Sequence, residues 1–549
     1  QQYVEDPQQL GDVQVTANRL PQSQADVLAS TTIIDRDEIE RSQANSVVEL
    51  LQGRAGIEMT QSGPPGATSS LFMRGSESDH TLVLVDGMRI NPATSGGARL
   101  EFLSPAAIER IEIVRGPRAA AYGADAIGGV IQIFTRQGGE GTHGTLDLRA
   151  GEDSTAKQNL YATTGNADTR LNASLFHRYG EGFNATQADT SGERDGFERT
   201  GGQASLSHRF SDKVSLKLNA LRQNIDTDYD SCYSGATSNC NDYITKGYQQ
   251  TFGGEMDVQL ESNWEMAITA GHFDEQYEER ADGTRTTLTE SHRNEAGIQH
   301  RFTHDNGIDV LGIDYRQEHI DYHDDAYGNS YQKDSRENYG IYGMVQRQYG
   351  EHEVSGSLRY DDDSLFGDET TGSLAYAYHL TPSQRLGLSY STAYKAPSLM
   401  DLYGPSSWGA NSDLDAEKSK NLEAFWSFDK GPWNARATLF ENRIDDLIVY
   451  TGEYPDAMNR NVDEARIRGV ELSGGWQGDN LSLKASLTRQ NPENRETGAR
   501  LVQRAKLYGR LDADYTYQAW AFGSTLRASR ERPDSGGATL GGYGVVDLR

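Results

Sequence analysis

The chain has 549 residues and a formal net charge of −29, which excludes a nucleic-acid binder because such proteins carry a basic footprint. Its 28 tyrosines exclude an acidic disordered chain, and its 58 glycines stand above the usual share. With hydrophobic content at only 36%, that composition fits a large β protein with one wet face.

No run of 18 apolar residues occurs, so a transmembrane helix is excluded, whereas a transmembrane β-barrel signals itself by alternation and stays open. The sequence begins at Gln1 without an apolar leader, so a signal peptide was either removed or never present. Cys232 and Cys240, an even and locally spaced pair with no metal-type cluster around them, favour a disulfide and an oxidising compartment.

Up to about Arg136 the sequence reads as a small α/β domain. Ile39, Val47, Leu50 and Leu51 lie at helical spacing behind the acids Asp37, Glu38 and Glu40, which predicts helix over 37–51. Thr81–Val85 followed by Asp86-Gly87 predicts a buried strand and a tight turn. Pro105 opens a short helix through Glu109, and Ile111–Val114 and Val130–Phe134 are further strands.

After Arg136 the texture changes. Leu216, Leu218 and Ala220 alternate with Ser215, Lys217 and Asn219. The same period of two recurs at Trp264–Ala270, Val354–Asp361 and Leu481–Thr488. At roughly 10 residues per spanning strand plus turns, residues 137–549 make about 20 strands, too wide for an open sheet. We therefore expect a closed barrel. Lys217, Glu265, Arg359, Asp361, Lys484 and Arg510 would line a wet lumen, and Tyr229, Tyr360, Tyr378 and Trp520 would sit in interfacial girdles. A row of soluble β-domains or a propeller is the alternative, although no fixed repeat is visible.

Asp226, Asp228 and Asp230 share one face of an extended strand, Asp242 follows closely, and Glu193 and Asp195 lie in an earlier acidic loop. Carboxylates this dense invite a hard cation such as Ca²⁺, and a solvated acidic loop is the plain alternative. The spacing does not fit an EF-hand, since Ser231 stands where that loop needs Gly and Thr237 where it needs Glu. No Gly-x-Ser-x-Gly elbow, His-Glu-x-x-His, Walker loop or Cys-x-x-Cys occurs, and His292 and His300 read as spectators. We expect no enzyme.

Several motifs carry a resemblance. Ser70–Gly75, Val83–Arg89, Ile108–Pro117 and Ala121–Ile133 resemble the plug domain of TonB-dependent outer-membrane receptors, and Asp12, Val13, Gln14, Val15, Thr16 and Ala17 resemble the TonB box. In the barrel, Tyr394-Lys395-Ala396-Pro397 and Leu414-Asp415-Ala416-Glu417-Lys418-Ser419 are similar to segments shared by many such receptors. The resemblance extends to the cobalamin receptors of this family through Val15–Arg19, Ser391–Leu399, Leu402–Gly404, Leu414–Lys420 and Arg504–Lys506.

The resemblance implies a transmembrane antiparallel β-barrel of about 22 strands in the outer membrane of a Gram-negative bacterium. It implies an N-terminal segment over 1–20 with the TonB box at 12–17, a plug over 21–136 and a barrel over 137–549. It also implies active import of cobalamin, energised by TonB and its inner-membrane complex. Members of the family close with a strand ending in an aromatic residue, whereas Val545–Arg549 stops mid-strand, so we expect C-terminal strands to be missing here.

On the family pattern, calcium falls to Glu193, Asp195, Tyr229, Asp230 and Asp242, with Asn184 where the family has Asp. Ligand contacts fall to Thr68, Ser70, Glu77, Ser95 and Gly96 on the plug and Thr287 and Arg504 on the barrel, with Glu77 replacing a neutral amide. The surrounding partners would be the lipid bilayer and lipopolysaccharide, and phage or bacteriocins could use the outer surface as a docking site. A receptor for a siderophore or other metal chelate, a passive porin, and an adhesin are the competing readings. The acidic loops argue against the first, since ferric siderophores are usually anionic, and a plug argues against the second.

Overall fold

Alternation turns into strands through most of the chain. A computed structural model describes residues 14–15, 19, 22–23, 27–186, 189, 192–232, 240–451, 457–534 and 537–549. From Gly141–Ala150 to Tyr543–Leu548, a 20-stranded antiparallel sheet pairs each strand with its successor in the chain. One small hairpin, Arg532–Pro533 with Thr539–Leu540, lies outside that order. Among the described residues the two edge strands, Gly141–Ala150 and Tyr543–Leu548, are not paired with each other.

The two faces of the sheet are inverted relative to a soluble protein. Leu358 is 64% exposed and its neighbour Arg359 is 2% exposed. Leu374, Leu439 and Ile313 are also exposed, while Glu423, Glu471 and Arg293 are buried. An outer face that is apolar and open, with an inner face that is charged and covered, is the arrangement of a barrel in lipid. It removes the soluble-domain and propeller alternatives. Tyr360 and Trp520 lie on the exposed face. Tyr229 does not: it continues the inward row of Leu221, Gln223, Ile225 and Thr227 and stacks on Tyr243 at 5.3 Å, so it lines the lumen.

The plug fills that lumen. Its mixed sheet runs in the order Ser30–Ile34, Ile108–Arg115, Gly129–Thr135, Thr81–Val85, Met88–Arg89, with Thr81–Val85 parallel to Gly129–Thr135. A second hairpin pairs Ile57–Gln61 with Ser69–Met73. The largest apolar cluster joins plug residues such as Ile34, Leu50, Ile111 and Ile131 to Phe176, Leu221 and Phe273 of the barrel.

Asp86 (φ 48°) and Gly87 (φ 84°) make the expected turn. The Asp86 carboxylate fixes it by accepting the backbone N–H and hydroxyl of Thr135 at 2.9 and 2.6 Å. The single helix expected over 37–51 is two, Arg36–Ser42 and Val47–Leu51. Gln43 enters the left-handed region at φ 52°, and Ser46 caps the second helix by accepting from the Glu49 amide. The Ser-rich break was readable as capping chemistry. The turn opened by Pro105 is a single 3₁₀ turn, Pro105–Ala107, because Ile108 and Glu109 already belong to a strand.

Of the predicted TonB box, Gln14 and Val15 form a short ladder with Ser23 and Gln22. Asp12, Val13, Thr16 and Ala17 lie outside the described residues.

Candidate functional site

The plug is held by buried ions as much as by apolar packing. Arg74 lies 2.7 Å from Glu423 and 2.8 Å from Glu471, and Arg115 lies 3.4 Å from Glu471. All four are buried. Gly116 (φ 84°) admits this arrangement, since a Cβ there would fall 2.2 Å from Glu423 Oε1. A second clamp joins His80 to Glu417 at 2.5 Å and Asp79 to Lys395 at 3.0 Å. A third joins Arg293 to Glu318 at 2.6 Å while Arg293 also donates to the carbonyls of Arg89 and Asn91. Net stability from such pairs is small, but losing one partner costs about 3–5 kcal/mol. The interface is therefore specific in register without being a continuous apolar core.

Above these clamps the predicted ligand residues come together at one end of the lumen. Thr68 and Ser70 belong to the hairpin 57–73, with Thr68 exposed and Ser70 half-buried. Ser95 is exposed, and Gly96 (φ 75°) closes a turn in which Asn91 Nδ2 donates to the Gly96 carbonyl at 2.7 Å. The neighbouring Ala93 packs against Ile320, Leu399 and Leu402 of the barrel. Thr287 lies two residues above Thr289 on the inward face of its strand, and the next inward residue, Ser291, meets the Ala93 amide.

Arg504 and Glu77 form an ion pair of 2.6 Å. Arg504 is buried, lies 4.2 Å from the Phe72 ring centre and donates to the Ser76 carbonyl. The charge expected to face ligand is thus largely spent within the protein.

Sequence reasoning missed the aromatic wall of this bowl. Tyr322 packs edge-on against Tyr331 and Trp408 at 5.5 and 5.3 Å, and among the described residues its buried hydroxyl has no hydrogen-bond partner. Only the fold reveals it, because Tyr322 lies near the end of strand Gly307–Asp324 while Trp408 lies in the distant Ser406–Trp408 turn.

Beside the bowl, Asp189, Glu193 and Asp230 present carboxylate oxygens within 4.8 Å of one another. Glu193 and Asp230 were expected, and Asp189 was not. Desolvation and the neighbouring Asp242 and Asp230 carboxylates push Glu193 up to about 7. Among the described residues, both oxygens of Asp230 are buried without hydrogen-bond partners, an acceptor set that fits a hard cation. Asn184 donates to Asp189, and Asp195 accepts the Ala185 amide at 2.9 Å.

Tyr229 stands apart, on the opposite strand face from Asp230. Asp226 is taken up by Lys246 at 2.7 Å, so the three aspartates sharing that face do not act as one set. The same loop reaches the plug: a Cβ at Gly63 would meet the Ala185 Cβ at 3.5 Å, and one at Gly182 the Pro64 Cβ at 3.2 Å. Cys232 and Cys240 end the strand ladder as register partners, and Cys240 is disulfide-bonded.

Residues 23–130 match the TonB-dependent receptor plug domain, and residues 142–549 match the TonB-dependent receptor-like β-barrel. The chain belongs to the TonB-dependent receptor family, whose members work with TonB. It is 29% identical over 542 residues to the vitamin B12 transporter BtuB of Vibrio vulnificus strain YJ016, covering 98% of this chain and 87% of that protein. Among solved structures, a mutant of the ferric enterobactin receptor PfeA of Pseudomonas aeruginosa superposes with a TM-score of 0.79 at 17% identity, covering 94% of this chain and 90% of that one. The siderophore receptor PiuA of Acinetobacter baumannii gives 0.78 at 15% identity, covering 96% and 90%. At such identity these two share the fold.

Proposed function

We propose that this receptor sits in the outer membrane of a Gram-negative bacterium and imports cobalamin with energy transduced by TonB. The observation that carries the reading is the ion pair of Glu77 with Arg504, which leaves a bowl of hydroxyls, backbone amides and tyrosines. A large ligand with amide side chains and a flat ring suits such a surface, whereas an anionic ferric chelate would need unspent cations. The 29%-identical relative named as a vitamin B12 transporter supports the same choice.

Asp189, Glu193, Asp230 and Asp242 would hold calcium, which supplies neutralising charge when bound. The loop carrying Asp189 and Glu193 packs on the plug hairpin, so its order and that of the ligand surface are linked. Residues 12–17 pair with TonB as an added strand, and the plug clamps then yield. The protein performs no chemistry on its cargo. Lipid and lipopolysaccharide surround the exposed apolar face, and phage or bacteriocins could dock on the outer loops as an added role. Titration of cobalamin into purified protein tests the reading: saturable binding is expected, and binding of a ferric siderophore with none of cobalamin overturns it.

A further inference from the structure

The strand register assembles a second polar cluster, on the outer wall of the barrel and away from the plug. Asp274 is the cross-strand partner of His292, and His272 that of Asn294. Phe273 and Arg293 lie between these positions and are buried against the plug, so His272, Asp274 and His292 project from the opposite face. One ligand atom from each lies within 4.8 Å of the other two. On the same strand face Trp264, Met266, Ile268 and Ala270 precede the cluster, and Gln276 and Glu278 follow it. The cluster thus marks the edge of the apolar band, toward the end that carries Cys232 and Cys240.

Three details distinguish it from an ordinary ion pair. Asp274 is only 7% exposed, and among the described residues its Oδ1 has no hydrogen-bond partner although His292 Nδ1 lies 2.9 Å away. Its Oδ2 is held by the Tyr248 hydroxyl at 3.1 Å and Gln250 Nε2 at 2.8 Å, which orients the free oxygen toward the two imidazoles. Asn294 Oδ1 lies 2.9 Å from His272 Nδ1, and as an acceptor there it fixes the proton on that nitrogen and leaves Nε2 the lone pair. Two imidazoles and one carboxylate, oriented by outer partners, form the donor set of a first-row transition metal with one or more open positions.

We propose that His272, Asp274 and His292 bind a divalent transition-metal ion of the Zn²⁺ class on the outer wall. Closing 4.8 Å to the roughly 3.3 Å between ligands of a tetrahedral Zn²⁺ site needs only rotation of the two half-exposed histidines. The ion would bridge strands Trp264–Ala281 and Thr284–His304, the pair whose inward Phe273 and Arg293 grip the plug.

The test uses the full chain in detergent, freed of any polyhistidine tag, with calcium in excess so that the carboxylate loop does not compete. Calorimetric titration with Zn²⁺ should show one site per chain. His272→Ala and His292→Ala should each weaken it at least about tenfold while the barrel stays heat-modifiable on gels. Visible absorption with Co²⁺ should report nitrogen ligation in the wild type and lose it in both variants. Absence of saturable Zn²⁺ binding by folded wild-type protein, or binding and a Co²⁺ spectrum unchanged by both substitutions, would overturn the assignment.

Discussion

Glu77 on the plug and Arg504 on the barrel close an ion pair of 2.6 Å in which the two partners are unequally covered. The Arg504 side chain is 3% exposed and that of Glu77 is 42% exposed. The pair is therefore a buried cation neutralised by a carboxylate that still touches water. It sets the sign of the surface on which ligand would rest.

Glu77→Gln should uncover the Arg504 charge. The cost in plug stability is about 1 kcal/mol, discounted because Glu77 is half in water and the Ser76 and Val502 carbonyls still accept from Arg504. Cobalamin affinity should change by less than tenfold, and affinity for an anionic ferric chelate should rise. Competition binding with the two ligand types measures both. A drop in cobalamin affinity with no gain for the anion would detach this pair from ligand selection.

The coupling segment gives a separate prediction. Val15 pairs with Gln22, so a partner strand must add to this short ladder or displace it. Pro at Val15, or deletion of 12–17, removes a backbone donor from the added strand. Uptake of labelled ligand into cells should be abolished while surface binding stays intact. Equal loss of both would show that the segment serves folding.

What was legible in the sequence was local. Alternation over strands such as Leu481–Asn494 gave the barrel, because a period of two needs only neighbouring residues. The acids at Glu193 and Asp230 were visible by density. Asp189 was not, since a lone aspartate several residues upstream carries no pattern, and only the fold of the 184–195 loop brings it to Asp230. The tyrosine wall around Tyr322 depends on where the Ser406–Trp408 turn folds back, and the pairing of Asp274 with His292 on register between strands, neither of which a single segment encodes. His292 therefore read as a spectator. Tyr229 read as a girdle residue because its inward or outward sense follows from which strand positions meet the plug.

The carboxylate cluster predicts a calcium effect. Among the described residues Asp230 has both oxygens buried without partners, and the segment that carries Asp189 and Glu193 beside it abuts the plug hairpin through Ala185 and Gly63. Chelation should weaken ligand affinity by about 1–3 kcal/mol, a usual coupling between two sites. Without the ion, ligand binding must also order the loop. Asp230→Ala should reproduce the loss and make affinity insensitive to chelator. Equal affinity with and without chelator in the wild type would reduce the cluster to a solvated face.

The paired cysteines predict a local effect on the same site. They lie within the stretch between Asp230 and Asp242, which are themselves register partners. Closing a loop of this length is worth roughly 2–3 kcal/mol in the chain-entropy picture. Cys232→Ser with Cys240→Ser should leave barrel assembly unchanged and lower calcium affinity. Two free thiols found by mass spectrometry in non-reduced protein would refute the bridge, and unchanged calcium affinity would refute its role.

The His80 clamp predicts a pH dependence of plug stability. Burial disfavours a charge on His80, but Glu417, then Asp79 and Glu77, raise its pKa above the ordinary imidazole value. Lys395, 3.0 Å from Asp79 and 3.9 Å from Glu417, faces the same group. Because the folded pKa lies above the unfolded value of about 6.5, the folded state binds the extra proton. The stabilisation is complete below that unfolded value and is lost as pH rises through the raised one. The Gly128 amide donates to the His80 carbonyl at 2.8 Å, so its protection reports on this segment. Hydrogen exchange of peptides covering His80 and Gly128, corrected for the intrinsic pH dependence, should show greater protection at pH 6 than at pH 9. His80→Gln should flatten that difference while keeping a hydrogen bond to Glu417. A slope that survives the substitution would place the titrating group elsewhere in the clamp.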